Sequence, residues 1–301
     1  MSNAIYNGDI SGKPVVSIEY FPADGLIKER ALQTGAHALR RFDPDFQTVT
    51  FGAGASPVEG SFEWSTRLSL LTEVPTASHI TLCAFATKAE LFEFTDDLWQ
   101  AGIQHLVLLR GDAAGNDGGL GEFESVADAV RALRKRRGWE ISVSCYPESH
   151  PKAESRQADI EILLDKQRAG ASRAITQFFF DNADFYAFRD EARAAGVTIP
   201  LVPGIMPILN ADKIFSFAEA CGAKVPTDLR KRFDACGDDK AARSDIARDF
   251  VQAQVRDLAK NGVKAIHVYS MNRVDLTADA IRAFQACFNG KEERSKLRLV
   301  S

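Results

Sequence analysis

Cysteine is scarce and scattered. The five residues Cys83, Cys145, Cys221, Cys236 and Cys287 are odd in number and form no C-x-x-C pair, so neither a disulfide framework nor a thiolate zinc site is indicated. They read as small apolar residues of strands and helices. The five histidines, His37, His79, His105, His150 and His267, are equally dispersed and no H-E-x-x-H occurs, so no resident metal is expected. An excess of one charge is missing too. Lys and Arg number 37 against 41 Asp and Glu, a formal charge of −4, which argues against nucleic acid or an anionic membrane as the partner. No run approaches the ~18 uninterrupted apolar residues of a membrane helix. The opening MSNAIYNGDISGK has no apolar signal core, so the expected address is the cytoplasm. A G-x-x-x-x-G-K-[ST] phosphate loop is likewise absent, which excludes nucleoside triphosphate chemistry of that kind.

What the chain does have is alternation. Short β-branched or aromatic runs fall at Val15–Tyr20, Thr48–Phe51, His79–Cys83, His105–Leu109, Ile141–Cys145, Ala174–Gln177, Pro200–Val202 and Ala265–Tyr269. Amphipathic stretches lie between them, such as Gly25–Arg41, Lys88–Ala101, Glu124–Arg137, Ser155–Ala169, Asn182–Ala195 and Asp212–Cys221. A helix between consecutive strands favours parallel pairing, because parallel neighbours need a long crossover. Eight such units in 301 residues predict an α/β fold of the closed (β/α)8 TIM-barrel type, which needs roughly 250 residues. The longest gap precedes the eighth strand and predicts extra helices near Thr227–Phe233 and Ser244–Lys260, the second ended by Asn261-Gly262 through a left-handed cap. No linker divides the chain, so residues 1–301 read as one domain. The rival doubly wound sheet calls for a glycine fingerprint after the first strand, and Ile18-Glu19-Tyr20-Phe21-Pro22 has none. The basic run Arg131–Arg137 reads as a helix C-terminus offsetting the dipole, and Lys291–Arg298 as a solvated end.

In such a barrel the loops after the strands form the active face. Those ends carry Glu19, Thr50, Arg110-Gly111-Asp112, Tyr146 with His150, Gln177, and Tyr269 through Arg273. Glu19 is the sharpest candidate. Its neighbours in sequence are Val15, Val16, Ile18, Tyr20 and Phe21, where desolvation would raise a carboxyl pKa and make it an acid. Asp112 closes an apolar strand in a glycine-rich turn that lacks the twelfth-position Glu of a calcium loop.

The segments VSIEYFP, TVTFGA, HITL, HLVLLRGD, YPESHP, QAD, GASRAITQFFFD, PLVPGIMPI and HVYSMNR resemble, in order and over nearly the whole chain, the methylenetetrahydrofolate reductase family. The resemblance implies a (β/α)8 barrel carrying FAD. It also implies a reaction in which NADH or NADPH reduces the flavin and departs, after which the flavin reduces 5,10-methylenetetrahydrofolate to 5-methyltetrahydrofolate. On this likeness Glu19 is the general acid that protonates the leaving nitrogen, and Asp112 is the carboxylate beside flavin and folate. Gln177 then binds the pterin, Phe217 stacks on whichever substrate is present, and Arg273 contacts substrate. Thr50, Phe51, Ala53, His79, Arg110, Gly111, Asp112, Tyr146, His150, Ala153, Asp159 and Lys166 fall on FAD-contact positions. Asp159 and Lys166, seven apart on one helix, share a face. Departures from the family pattern are Phe51 and Phe123 where some members carry tyrosine, Ile162 where the residue is often polar, and Lys213 where some carry glutamine. Family members assemble as dimers or tetramers, so a homo-oligomer is expected, and the inhibition that larger members exert through an extra C-terminal domain is expected to be absent. An alternative within the same fold is a flavin dehydrogenase acting on another amine such as proline.

Overall fold

A computed structural model describes residues 13–51, 58–111 and 119–298. Eight strands form a closed, wholly parallel barrel in chain order, with the first strand paired to the last. They are β1 (Val15–Tyr20), β2 (Phe46–Val49), β3 (Thr76–Thr81), β4 (His105–Leu109), β5 (Glu140–Cys145), β6 (Arg173–Phe178), β7 (Leu201–Ile205) and β8 (Ala265–Tyr269). Helices α1 (Leu26–Arg40), α2 (Val58–Thr72), α3 (Lys88–Gln100), α4 (Val126–Arg136), α5 (Arg156–Arg168) and α6 (Asn182–Ala194) follow the first six strands in turn. After β7 come α7 (Ala211–Cys221), α8 (Thr227–Ala235) and α9 (Lys240–Lys260), and α10 (Asp275–Arg298) follows β8. The extra helices therefore stand where the long gap placed them.

Local chemistry sets the helix ends. Thr87, Ser125, Ser155, Asp181, Asn210 and Asp239 each accept an amide of the first turn, satisfying donors that a helix leaves open. Helix α9 starts earlier than the apolar pattern indicated because Asp239 caps it through Ala241 and Ala242. It stops at Gly262, at φ +82°, where Val263 N donates to Leu258 O. The basic end of α4 has acidic partners: Arg136 and Arg137 both reach Asp96, at 2.7 and 2.8 Å. The backbone of α10 runs on through 291–298.

Three strands are displaced from the sequence expectation. Strands β2 and β3 begin two and three residues earlier, because buried polar residues stand at their starts. On the helix-facing side Gln47 Nε2 donates to Thr76 Oγ1 at 2.9 Å and, on α2, to Thr72 Oγ1 at 2.7 Å. Leu82–Ala84 form a 3-10 turn instead of strand. Strand β7 continues through Pro203 and Gly204, next to a register shift between Ile175 and Phe178. There the Thr176 hydroxyl accepts from Gly204 N at 2.9 Å.

Alternation along each strand divides two apolar regions. Val16, Ile18 and Tyr20 join the large core beneath the helices. Phe46, Ala77, Val107, Ile175, Val202 and Ala265 fill the interior of the cylinder in the manner of layered barrel cores. Below that layer, Arg173 pairs with Glu140, donates to Ser142 Oγ at 2.9 Å and lies 5.0 Å over the Phe46 ring. His105 Nδ1 is 3.1 Å from the same Glu140. A buried ionic cluster closes that end.

Candidate active site

At the opposite end, above the apolar layer, the interior opens into a cavity of about 580 Å³. Its apolar wall includes Val107, Leu109, Ile175 and Met206. Glu19 stands at its floor, 6% exposed. Of the apolar residues near it in sequence, Phe21 lines the same cavity, but Val16, Ile18 and Tyr20 point the other way and are not its environment. Two imidazoles are. Glu19 Oε2 lies 3.5 Å from His79 Nε2 and 3.6 Å from His267 Nε2. The barrel's closure makes this possible, because β1 pairs on both sides and sets Glu19 level with Thr48 and Tyr269. Burial pushes His79 down to about 4, with His267 adding to the fall and Glu19 opposing it, so His79 is neutral at ordinary pH. His267 Nδ1 is 2.8 Å from Ser17 Oγ, which orients its ring, and Tyr269 packs edge-on against that ring at 5.1 Å. The Tyr269 hydroxyl donates to Thr176 O at 2.7 Å, over Gly204, where any Cβ would strike the tyrosine ring.

The other candidates divide. Thr50, Phe51, His79, Arg110, Gly111, Tyr146, His150, Gln177 and Phe217 all line the cavity with Glu19. Gly111 has φ +87°, and a Cβ there would collide with Thr81 and Cys83, so only glycine fits. Tyr146 and His150 meet edge-to-face at 4.7 Å, and His150 Nδ1 accepts from Lys152 N at 3.0 Å, which leaves its Nε2 as the donor. Phe217, 47% exposed, stacks on Phe178 at 5.5 Å. Gln177 uses its carbonyl on Phe178 N at 3.0 Å, leaving its amide NH₂ towards the cavity. Phe51 also packs on Phe85 and Phe94, each at 5.6 Å.

Four candidates are not among the lining residues. Asp159 instead accepts from His150 N at 2.7 Å and pins the loop after β5. Ala153 N bonds His150 O in the same loop. Lys166 is buried, with Nζ donating to Ser144 O at 2.9 Å, and burial lowers its pKa. Arg273 is exposed in the turn after β8. Ala53 and Asp112 lie outside the described residues. Of the departures, Phe123 is buried and Ile162 is half-exposed on α5, whereas Lys213 lines the cavity.

His267 was missed as a site residue, although its position two residues before Tyr269 on a strand gives it the same inward face. Ser17 was missed for the same reason. Only the β1–β8 pairing, with Ser17 opposite His267, brings them together.

The residues present suit a polar aromatic cofactor. Thr50 Oγ1 and His79 Nε2 are buried polar atoms with no hydrogen-bond partner among the described residues, an arrangement that costs free energy unless a ligand or water completes it. No group of three or more metal-ligating side chains occurs among the described residues, and none of the described helices is long and apolar enough to cross a membrane.

A closed parallel barrel with a buried carboxyl and imidazoles at the C-terminal end of its strands defines the class: a (β/α)8 protein with its reactive groups at the strand ends. Comparison with known proteins narrows this. The family model described as methylenetetrahydrofolate reductase matches residues 4–284. The chain is 35% identical to the 5,10-methylenetetrahydrofolate reductases of Pectobacterium carotovorum and Escherichia coli K12. Each match extends over 269 residues, covering 89% of this chain and 89% and 90% of those proteins. In fold it is similar, at TM-score 0.63 and 14% identity, to a Clostridium thermocellum protein described as binding two copies of 5-methyl-5,6,7,8-tetrahydrofolic acid. That match covers 91% of this chain and 95% of the other. The chain belongs to the methylenetetrahydrofolate reductase family.

Proposed function

We propose that the protein reduces 5,10-methylenetetrahydrofolate to 5-methyltetrahydrofolate with NADH or NADPH, the two substrates using one cavity in turn beside a bound FAD. The observation that carries this reading is Glu19, inward-facing between His79 and His267 at the cavity floor. FAD, when bound, supplies a two-electron carrier between pyridine nucleotide and folate. Thr50 and His79 would hold it through their unpartnered atoms, with Arg110, Tyr146 and His150 around it and the bare backbone of Gly111 permitting close approach.

The protein's part is proton handling and orientation. The bridging methylene accepts hydride only after one carbon–nitrogen bond opens, and that nitrogen must gain a proton as it leaves. Glu19 delivers the proton. His79, held neutral by burial, adds no positive charge beside the cationic carbon that forms. Ser17 fixes the His267 ring, so one of the two imidazoles flanking the acid is held in orientation. Gln177 offers its free NH₂ to the heterocycle, and Phe217 covers the mouth as a stacking surface. Asp112, adjacent to Gly111 in sequence, is proposed as the negative charge that stabilises that carbon. The balance is one hydride to carbon and one proton to nitrogen per turnover.

The test is spectroscopic first. Purified protein is expected to be yellow and to bleach with NADH or NADPH under anaerobic conditions. Glu19→Gln is expected to keep its colour and its bleaching while folate turnover falls about 10²–10⁴-fold, the usual worth of a positioned acid. Unchanged folate turnover in that variant overturns the assignment.

A further inference from the structure

Helix α7 presents Lys213, Ile214 and Phe217 to the cavity. Lys213 and Phe217 are four residues apart and so share one face. Asn210 Oδ1 accepts from Lys213 N at 3.1 Å, which holds the first turn in place. Across the mouth, Lys152 lines the same cavity from the loop after β5. That loop is tied to the region following α7 by Lys224 N donating to Glu148 Oε1 at 2.9 Å, and Pro151 packs on Gly222.

Neither Lys152 nor Lys213 has an ionic partner among the described residues. The nearby acids are already engaged, Asp212 with Arg243 at 3.3 Å and Glu148 with Lys224. The single acidic residue among the described lining residues, Glu19, is far below at the floor, between imidazoles. The rim is therefore cationic above a mostly apolar wall. A lysine ammonium at a cavity mouth acts as a point attraction for phosphate or carboxylate. One helical turn away, Phe217 offers a face on which a flat ring can stack.

We propose that Lys213 is a specificity residue: it favours an aromatic substrate carrying an additional anionic group, one turn of helix from the ring that stacks on Phe217. This rests on the reading of the cavity given above and deepens it. Two sources supply that chemistry, the extra phosphate of NADPH relative to NADH and the extra carboxylates of an oligoglutamyl folate relative to a monoglutamyl one.

Calorimetric titration of the holoprotein separates them, with the non-reducing NAD⁺ and NADP⁺ and with mono- and triglutamyl tetrahydrofolate as probes. In Lys213→Gln, the affinity for the more anionic member of at least one pair is expected to drop about fivefold to tenfold, and that of its less anionic partner to stay within about twofold. Lys213→Arg is expected to retain the preference. The difference should shrink as salt rises, since the lysine is exposed. A change in the nucleotide pair assigns the phosphate, and a change in the folate pair assigns the carboxylates. The proposal is overturned if both ratios are unchanged, if both members of a pair weaken equally, or if Arg behaves as Gln does. Absence of folate turnover in the unsubstituted protein would defeat the enzymatic reading instead, while the titration ratios would still decide the role of Lys213.

Discussion

Both ends of the barrel interior bury a carboxylate against imidazole, yet the two ends are chemically unlike. At the closed end Glu140 sits between His105 and Arg173. The guanidinium cannot lose its proton in a protein, so the carboxylate there is permanently compensated. Burial, aided by Arg173, holds His105 down to about 4. At the open end Glu19 has no arginine among its described partners, and only His79 and His267 face it. That set holds no guanidinium, and it looks onto a cavity. The difference teaches how one scaffold separates stability from chemistry: a fixed cation quenches a buried acid, and its replacement by imidazoles leaves the acid available.

The sharpest way to break the comparison is to treat the two acids alike. Glu19→Gln should cost turnover on the scale given above while leaving the urea midpoint nearly unchanged. Next in size, Arg173→Met should cost about 3–5 kcal/mol of stability, because it strands Glu140 in the interior. Chemical denaturation would measure it, and Arg173→Met with Glu140→Leu should recover most of the loss. If single-site Arg173→Met instead left stability intact, the closed end would not be an ionic lock.

The histidines supply a smaller effect at each end. His79 and His105 both fall from 6.5 to about 4 on folding, so between those values the unfolded chain binds more protons than the folded one. Stability is therefore full above about 6.5 and declines as pH falls towards about 4, by about 3 kcal/mol for each ring. Urea unfolding across that window should show His105→Asn removing roughly one ring's share of the slope. The smallest expected change is at the mouth. Phe217→Leu should leave unfolding within about 0.5 kcal/mol of the parent. It should raise KM for the stacking substrate roughly threefold to tenfold, the worth of one aromatic contact.

Much of the barrel is legible in the sequence. Eight apolar runs separated by helical stretches, with the long gap before Ala265, announce β8 and the helices that precede it. Strand limits were less legible where buried polar residues start a strand, as at Thr76 and Gln47 beneath α2, and where Pro203 interrupts an extended run that continues as β7. The site was partly legible. Glu19, His79, Gln177 and Phe217 come together, whereas Lys166 turns to the Ser144 carbonyl and Arg273 to solvent.

Residue order alone determined the strand count, the parallel topology and the strand ends that carry polar groups, because periodicity and crossover length are local properties of a chain. It could not determine which face of each strand looks inward. Both faces of a parallel barrel strand are buried, so alternation marks two sides without naming the inner one. Closure of the cylinder decided that Ser17 and Glu19 share an interior with His267, some 250 residues away, since only β1 meeting β8 places them within reach.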